Sequence, residues 1–341
     1  MSDAKHAGGG SSALVETVAG LSAGTMAVLI VHPLDIIKTR MQIHRSTAGH
    51  SAPLSAIAVA RSLLQTPHPV AALYRGLAPN LVGNATSWAS FFFFKSRAER
   101  AILALKAPAQ PSSPPPPAAS ASSSSSSSSV PAAPRLTAAD YFVASALAGV
   151  GVQVLTNPIW VLKTRMVSSD RSAAGAYPGM LSGARQLLRE EGWRGFYRGL
   201  GISLFGVSHG AVQFAVYEPA KRWYTTWRQG HGGDAPREDA GGRQRGVVTN
   251  EATLVLSTAS KLTAGAVTYP YQVVRSRLQN YDAEARFGKG ITGVVARLWR
   301  EEGWRGFYRG LMPGVIRVLP ATWVTFLVYE NVKYYLPQWL E

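Results

Sequence analysis

The sequence contains no cysteine, which excludes a disulfide scaffold, a cysteine nucleophile and any thiolate metal site, and leaves the redox compartment unread. Acid is scarce as well. Against 35 Lys and Arg stand only 19 Asp and Glu, so the 341-residue chain carries a formal charge of +16 and favours anionic partners. Charged residues of either sign make up 16%, while hydrophobic ones reach 46% with 9 Trp, 13 Tyr and 11 Phe, which excludes disorder of the chain as a whole. The first dozen residues, MSDAKHAGGGSS, show neither a basic-then-apolar signal nor an Arg-rich amphipathic one, so no cleaved address is expected. No paired catalytic carboxylates, metal-ligand spacing or Ser-His-acid arrangement stands out. We therefore expect no enzymatic activity, no metal and no resident cofactor.

What the chain does have is charge-free length. Thr17 to Leu34, Leu77 to Phe94, Tyr141 to Leu162 and Leu200 to Tyr217 are neutral, and Ala252 to Val274 and Leu311 to Tyr329 each carry one cation, Lys261 and Arg317. A helix needs about 20 residues to cross a bilayer core, so these are six candidate spans. Their Gly, Ser, Thr, Asn, Gln and His content hold the mean hydropathy near zero, as expected of helices that face water on one side. Six buried helices of a soluble protein are the blander alternative, disfavoured by six such runs without a βα alternation. Lys106 to Leu136, with its Ser and Pro runs, and Arg228 to Arg245 are too polar to build a core and are expected to be flexible loops.

A repeat organises the spans. The string EEGWRGFYRGL occurs at Glu190 to Leu200 and identically at Glu301 to Leu311, and a degenerate AALYRGL occupies Ala71 to Leu77. About forty residues upstream of each stand PLDIIKTRMQ from Pro33, PIWVLKTRM from Pro158 and PYQVVRSRLQ from Pro270. One unit is an apolar helix ending in Pro-x-x-x-x-[Lys/Arg]-x-Arg, a loop with a short helix, then Tyr-Arg-Gly and a second apolar helix. The expected fold is therefore an all-α membrane protein: six transmembrane helices in three tandem pseudo-symmetric repeats, with short helices in the repeat loops. The repeats fall at residues 13–105, 137–227 and 249–337, separated by flexible loops at 106–136 and 228–248.

Each proline removes a backbone hydrogen bond and is expected to bend its odd-numbered helix, so that three bends close one end of a barrel. Gly20, Gly24, Gly149, Gly151 and Gly265 are candidates for close helix approach. The repeat loops carry 5, 7 and 8 of the Lys and Arg residues, against 13 in the termini and the other two loops, so they should face the negatively charged compartment. A basic RNA-binding or membrane-surface protein is the competing reading of the charge. Because the basic residues flank the spans of each repeat, no nucleic-acid partner is expected.

Tandem units of this kind resemble the mitochondrial carrier family over nearly the whole chain. Trp160 and Gln272, standing where the family pattern has acids, and the strings LFGVSHGAVQFAVYE and VIRVLPATWVTFLVYENV look like its FAD and folate carriers. The resemblance implies a monomer in the inner mitochondrial membrane that moves FAD by alternating access, or folate, or an NAD or pyrimidine nucleotide. It also suggests cardiolipin as a lipid partner at the matrix-side basic loops.

Carried over by position, the family's contact points fall on Gly83, Gly206 and Arg317, with Asn84, Val207 and His209 beside them and Gln153 and Lys261 facing the same cavity. Arg317 leads as an unpaired guanidinium able to fork onto phosphate, and the two glycines would leave room for a flat ring. His209 is open between ligand and packing roles. The implied matrix gate pairs Asp35 with Lys163, Trp160 with Arg275 through a cation-π contact, and Gln272 with Lys38, with Gln42 and Gln279 as braces beneath. The implied outer gate uses Glu218, Lys221, Glu330 and Lys333.

Overall fold

The computed structural model describes residues 4–44, 55–106, 136–170, 175–230, 237–238, 244–245 and 250–340. In the first repeat the long α1 (Ala4–Ile43) is followed by two short helices, α2 (Ala56–Leu64) and α3 (Pro69–Leu73), and then by the long α4 (Leu77–Lys106). The second repeat runs from α5 (Ala138–Ser168) through α6 (Met180–Phe196) into a rod made of α7 (Leu200–Leu204), a 3-10 turn at Phe205–Val207 and α8 (Ser208–Gly230). In the third, α9 (Asn250–Val267) and α10 (Tyr269–Leu278) form the odd rod. The short α11 (Ala283–Phe287) and α12 (Gly290–Gly306) follow, and α13 (Leu311–Ile316) with α14 (Val318–Leu340) forms the even rod.

Six rods therefore stand where six spans were expected, but they are not equally apolar. Val15–Ile43, Ala139–Ser168, Leu200–Arg228 and Leu311–Gln338 have the length and hydropathy to cross a membrane. The fourth element, α4, and the α9–α10 rod are diluted by side chains such as Asn80, Asn84 and Lys95, and Lys261, Gln272 and Arg275. The expected proline bends also differ in kind. Helix continues through Pro33 in α1 and Pro158 in α5, whereas the third odd rod breaks at Thr268 (φ −89, ψ 2), so that Pro270 falls in the first turn of α10, where no N–H is needed. The even rods break instead at Phe205–Val207 and at Arg317, the two contact positions of repeats two and three.

Neighbouring repeats pack through α1 with α14, α4 with α5, and α8 with α9. Buried apolar side chains gather at the end that carries the repeat loops, where each short loop helix covers its odd rod. Val59 and Leu63 lie on Ile36 and Ile37; Leu187 and Phe196 on Val161, Leu162 and Met166; Val294 and Leu298 on Val273, Val274 and Leu278. The core is thus at one end and the middle is left to water.

The Tyr-Arg-Gly turns explain why that end closes. Gly76, Gly199 and Gly310 take φ of 74, 73 and 80, a left-handed conformation costly for any side chain with a Cβ. A Cβ there would strike the next odd rod, 2.8 Å from Val167, 3.1 Å from Gln279 and 2.9 Å from the Lys38 carbonyl. Of the other glycines, Gly149 and Gly151 pack on Val207 and Phe94, while Gly20, Gly24 and Gly265 face open space and make no close approach. The 106–136 loop expectation falls on residues 107–135, outside the described residues. Within the second expected flexible loop, α8 continues to Gly230, and two short strands, β1 (Arg237–Glu238) and β2 (Gln244–Arg245), pair antiparallel with Arg237 opposite Arg245.

Candidate functional site: a cationic cavity above a closed ring

The residue before each proline carries a side-chain donor, and all three donors do one job. The His32 imidazole, Asn157 amide and Tyr269 hydroxyl bond the carbonyls of Arg75 (3.0 Å), Arg198 (3.4 Å, with Phe196 at 2.7 Å) and Arg309 (2.9 Å), the arginines of the Tyr-Arg-Gly turns. Each odd rod is thereby tied to the turn that starts its own even rod. The signal was available in the repeat, because His, Asn and Tyr share no shape but all carry a donor. Asn80 faces the other nitrogen of His32 at 3.2 Å, and Asn84 donates to Asn80 at 3.2 Å, so the imidazole is neutral with its proton on Nε2.

Beneath the ties, Glu191 receives Arg165 at 2.7 Å and Arg198 at 2.9 Å, and Glu302 receives Arg277 at 2.7 Å and Arg309 at 3.1 Å. The first repeat has no such acid. Arg40 reaches Asp170 of the next repeat instead, at 2.6 Å, and Arg75 donates to the carbonyls of Met166 and Tyr177. Burial pushes the Tyr177 phenol up, so its hydroxyl stays neutral as it accepts from Arg165 at 3.0 Å.

Above this layer lies a cavity of about 410 Å³, lined by Lys38, Lys163, Lys261, Arg275, Arg317 and His209, with Asp35 the one acid among the lining residues. At the expected matrix gate the Asp35 carboxylate stands 3.8 Å from Lys163 but only 2.6 Å from Arg317. Arg317 is therefore not unpaired as expected; the break between α13 and α14 aims it down at the ring. Lys38 donates to Gln272 at 2.9 Å.

Trp160 does not meet Arg275. Its ring lies 5.1 Å from Lys163 Nζ, because residues three apart share a helix face, and its indole N–H bonds Thr156 at 3.2 Å. Arg275 forms no ion pair among the described residues. Gln42 bonds Tyr269 (3.0 Å) and Ser276 (2.7 Å), and Gln279 accepts from Thr164 (3.1 Å), so the braces link neighbouring repeats laterally.

The candidate ligands divide. Gly206, His209, Lys261 and Arg317 line the cavity. Gly83 does not; the space beside it is filled by a methyl of Ile159 and the ring of Trp160, 3.2 and 3.3 Å from a Cβ placed there. Asn84 is spent on Asn80, and Val207 on Gly149. Gln153, expected to face the cavity, stands beside Gly206 but is not among the lining residues. His209 takes the packing role, and its ring also lines the cavity. Thr268 gives its proton to Ala264 and so accepts from His209 Nδ1 at 3.0 Å, which pins α8 to the α9–α10 break while the ring still faces the cavity.

At the opposite end, Glu218 and Glu330 make no ion pair among the described residues. Lys333 instead takes Glu16, at 2.7 Å, and Tyr329 also bonds Glu16, while Lys221 lies over Tyr217. The expected outer network is thus replaced by a contact between α1 and α14, which already pack together; sequence spacing gave no pointer to Glu16.

A membrane bundle with a cationic central cavity, closed at one end and without a closed ring at the other, is a solute transporter and not an enzyme. The family model described as mitochondrial carrier protein matches residues 10–104, 134–227 and 248–338, and the chain belongs to that family. It is similar to the mitochondrial FAD carrier protein of Saccharomyces cerevisiae, 34% identical over 326 residues that cover 94% of this chain and 96% of that one. It is also similar to two Arabidopsis thaliana proteins, each 30% identical. One is the chloroplastic folate transporter 1 (94% of both chains) and the other the chloroplastic nicotinamide adenine dinucleotide transporter 1 (98% and 96%).

Proposed function

We propose that this carrier moves FAD across the inner mitochondrial membrane by alternating access, with the repeat loops on the matrix side. The observation that carries the reading is the charge in the cavity, five Lys and Arg side chains against one carboxylate. Such an excess in a partly dehydrated site calls for a polyanion, and the diphosphate of a dinucleotide supplies one. Similarity to an FAD carrier favours flavin over the folate and NAD that other relatives are named for. Lys261 and Arg275, which have no ionic partner among the described residues, are offered to phosphate first. Arg317 is shared between phosphate and Asp35. The chain works as a monomer in the bilayer, with cardiolipin phosphates against the basic matrix loops.

Uptake of labelled FAD, folate and NAD by liposomes holding the purified chain tests this. Saturable FAD uptake, competed by unlabelled FAD, is the expected result. Uptake of folate or NAD without FAD would replace the substrate.

A further inference from the structure

Three odd rods meet at the loop end, and the third differs from the other two in both backbone and charge. Helix runs unbroken through α1 and α5, whereas the third rod is interrupted at Thr268, between the cavity-lining Gly265 and Tyr269. Charge separates the rods in the same way. The ends of α1 and α5 are joined by Arg40 and Asp170 at 2.6 Å, with Lys163 3.8 Å from Asp35, and Asp35 also holds the even rod of repeat 3 through Arg317 at 2.6 Å. Among the described residues α10 has no acid–base pair with either neighbour. It is linked to α1 by Lys38 with Gln272 at 2.9 Å and by Arg277 with the Gln42 and His44 carbonyls at 3.0 and 3.2 Å. Toward repeat 2 it is linked by Thr164 and Arg165 bonding Gln279 at 3.1 and 3.2 Å, and Glu284 of the following α11, 61% exposed, comes only within 4.0 Å of Arg198.

We propose that α10 is the single moving leaf of the loop-end gate, swinging about Thr268 while repeats 1 and 2 stay joined, an inference that rests on the reading of alternating access. Hydrogen bonds to neutral partners give way at less cost than a partly buried acid–base pair, so the ring parts on the two sides of α10. The break at Thr268 supplies the hinge that α1 and α5 lack. Helix α12 moves with the leaf, because Val294 and Leu298 pack on Val273, Val274 and Leu278. On the other side α7, the segment of repeat 2 that packs against α10, is followed by the 3-10 turn at Phe205–Val207 and can yield there. His209, bonded to Thr268 at 3.0 Å, holds the hinge itself against α8. Arg275 rides on the leaf, lines the cavity and has no ionic partner among the described residues, so an anion bound to it biases the leaf and not the fixed rods.

The chain has no cysteine, so cysteine pairs can be placed without background. Ile57, Leu181 and Thr292 are exposed and occupy equivalent places on α2, α6 and α12, ahead of the buried Leu63, Leu187 and Leu298. Ile57→Cys with Leu181→Cys ties repeats 1 and 2, and Leu181→Cys with Thr292→Cys ties repeat 2 to the leaf. Each tie is closed in liposomes with a cleavable cross-linker matched to the resting separation, and the cleaved carrier is its own reference. Uptake is read with whichever of FAD, folate or NAD the untied carrier moves, so a wrong substrate does not touch the result. The tie to the leaf should slow uptake at least about tenfold and the tie between repeats 1 and 2 less than about twofold. As great a loss from the tie between repeats 1 and 2 overturns the single leaf, since all three repeats would then part. Loss from neither tie overturns alternating access through the loop end itself.

Discussion

Asp35 holds two cations, and their distances rank them. Arg317 at 2.6 Å is a direct ion pair, and Lys163 at 3.8 Å is at the edge of one. Breaking a fully buried pair costs about 3–5 kcal/mol and an exposed one about 0–1, and Arg317 is 37% exposed, so an intermediate coupling of about 1–3 kcal/mol is expected. Double-mutant cycles in purified protein, read by thermal unfolding, measure it. Asp35→Asn with Arg317→Gln should show the larger coupling and Asp35→Asn with Lys163→Met the smaller; the reverse order would return the gate to Lys163. Because Arg317 also faces the cavity, Arg317→Ala should abolish uptake while the protein still inserts, a helix that loses a cation being more apolar. Normal FAD uptake by that variant would remove Arg317 from the site.

At the scale of elements, the pre-proline ties make a claim about interchangeability. His32, Asn157 and Tyr269 each donate to a turn carbonyl, so His32→Asn should keep both stability and transport. His32→Leu, which leaves that carbonyl buried without a donor, should cost about 1–3 kcal/mol in unfolding measurements. Equal loss in both variants would mean that the ring, stacked on Tyr74, matters for its packing alone. Much of this architecture is legible in the sequence: duplicated EEGWRGFYRGL strings and three proline motifs give the repeats, the rods and the residues at the closed end. Side-chain partners are legible only where symmetry decides them. The repeat rule pairs odd rods with odd rods, so it finds Lys38 with Gln272 but not Arg317 with Asp35, which an even rod delivers through its own break. It also cannot tell a glycine that opens a cavity, Gly206, from one that a tryptophan fills, Gly83, because that depends on the size of residues in another helix.

For the whole molecule the two ends differ in what holds them. Turns, ties and acid–arginine pairs from all three repeats converge at the loop end, while the far end offers one pairing of Glu16 with Tyr329 and Lys333 between rods already in contact. The loop end is thus the more firmly held, and under the alternating access proposed above turnover requires it to part. Of its three gate positions, Trp160 and Arg275 do not meet, and Lys38 meets the neutral Gln272 through one hydrogen bond. Gln272→Glu turns that hydrogen bond into an ion pair of nearly the same shape. If the added attraction stabilises the closed ring by about 1.4 kcal/mol, the population able to open falls about tenfold, and a ligand must supply the difference through tighter binding to the opened state. FAD uptake should therefore slow by up to about that factor while binding from the open side is kept. Trp160→Asp is a different experiment despite its place in the same motif. The acid would stand on the helix face that Lys163 shares, but the lost indole would empty the space against Gly83 and leave Lys163 without its ring, so instability should accompany any change in rate. Uptake rates and unfolding midpoints, at matched protein amounts, separate the two. A faster Gln272→Glu carrier would show that opening of the loop end does not limit transport.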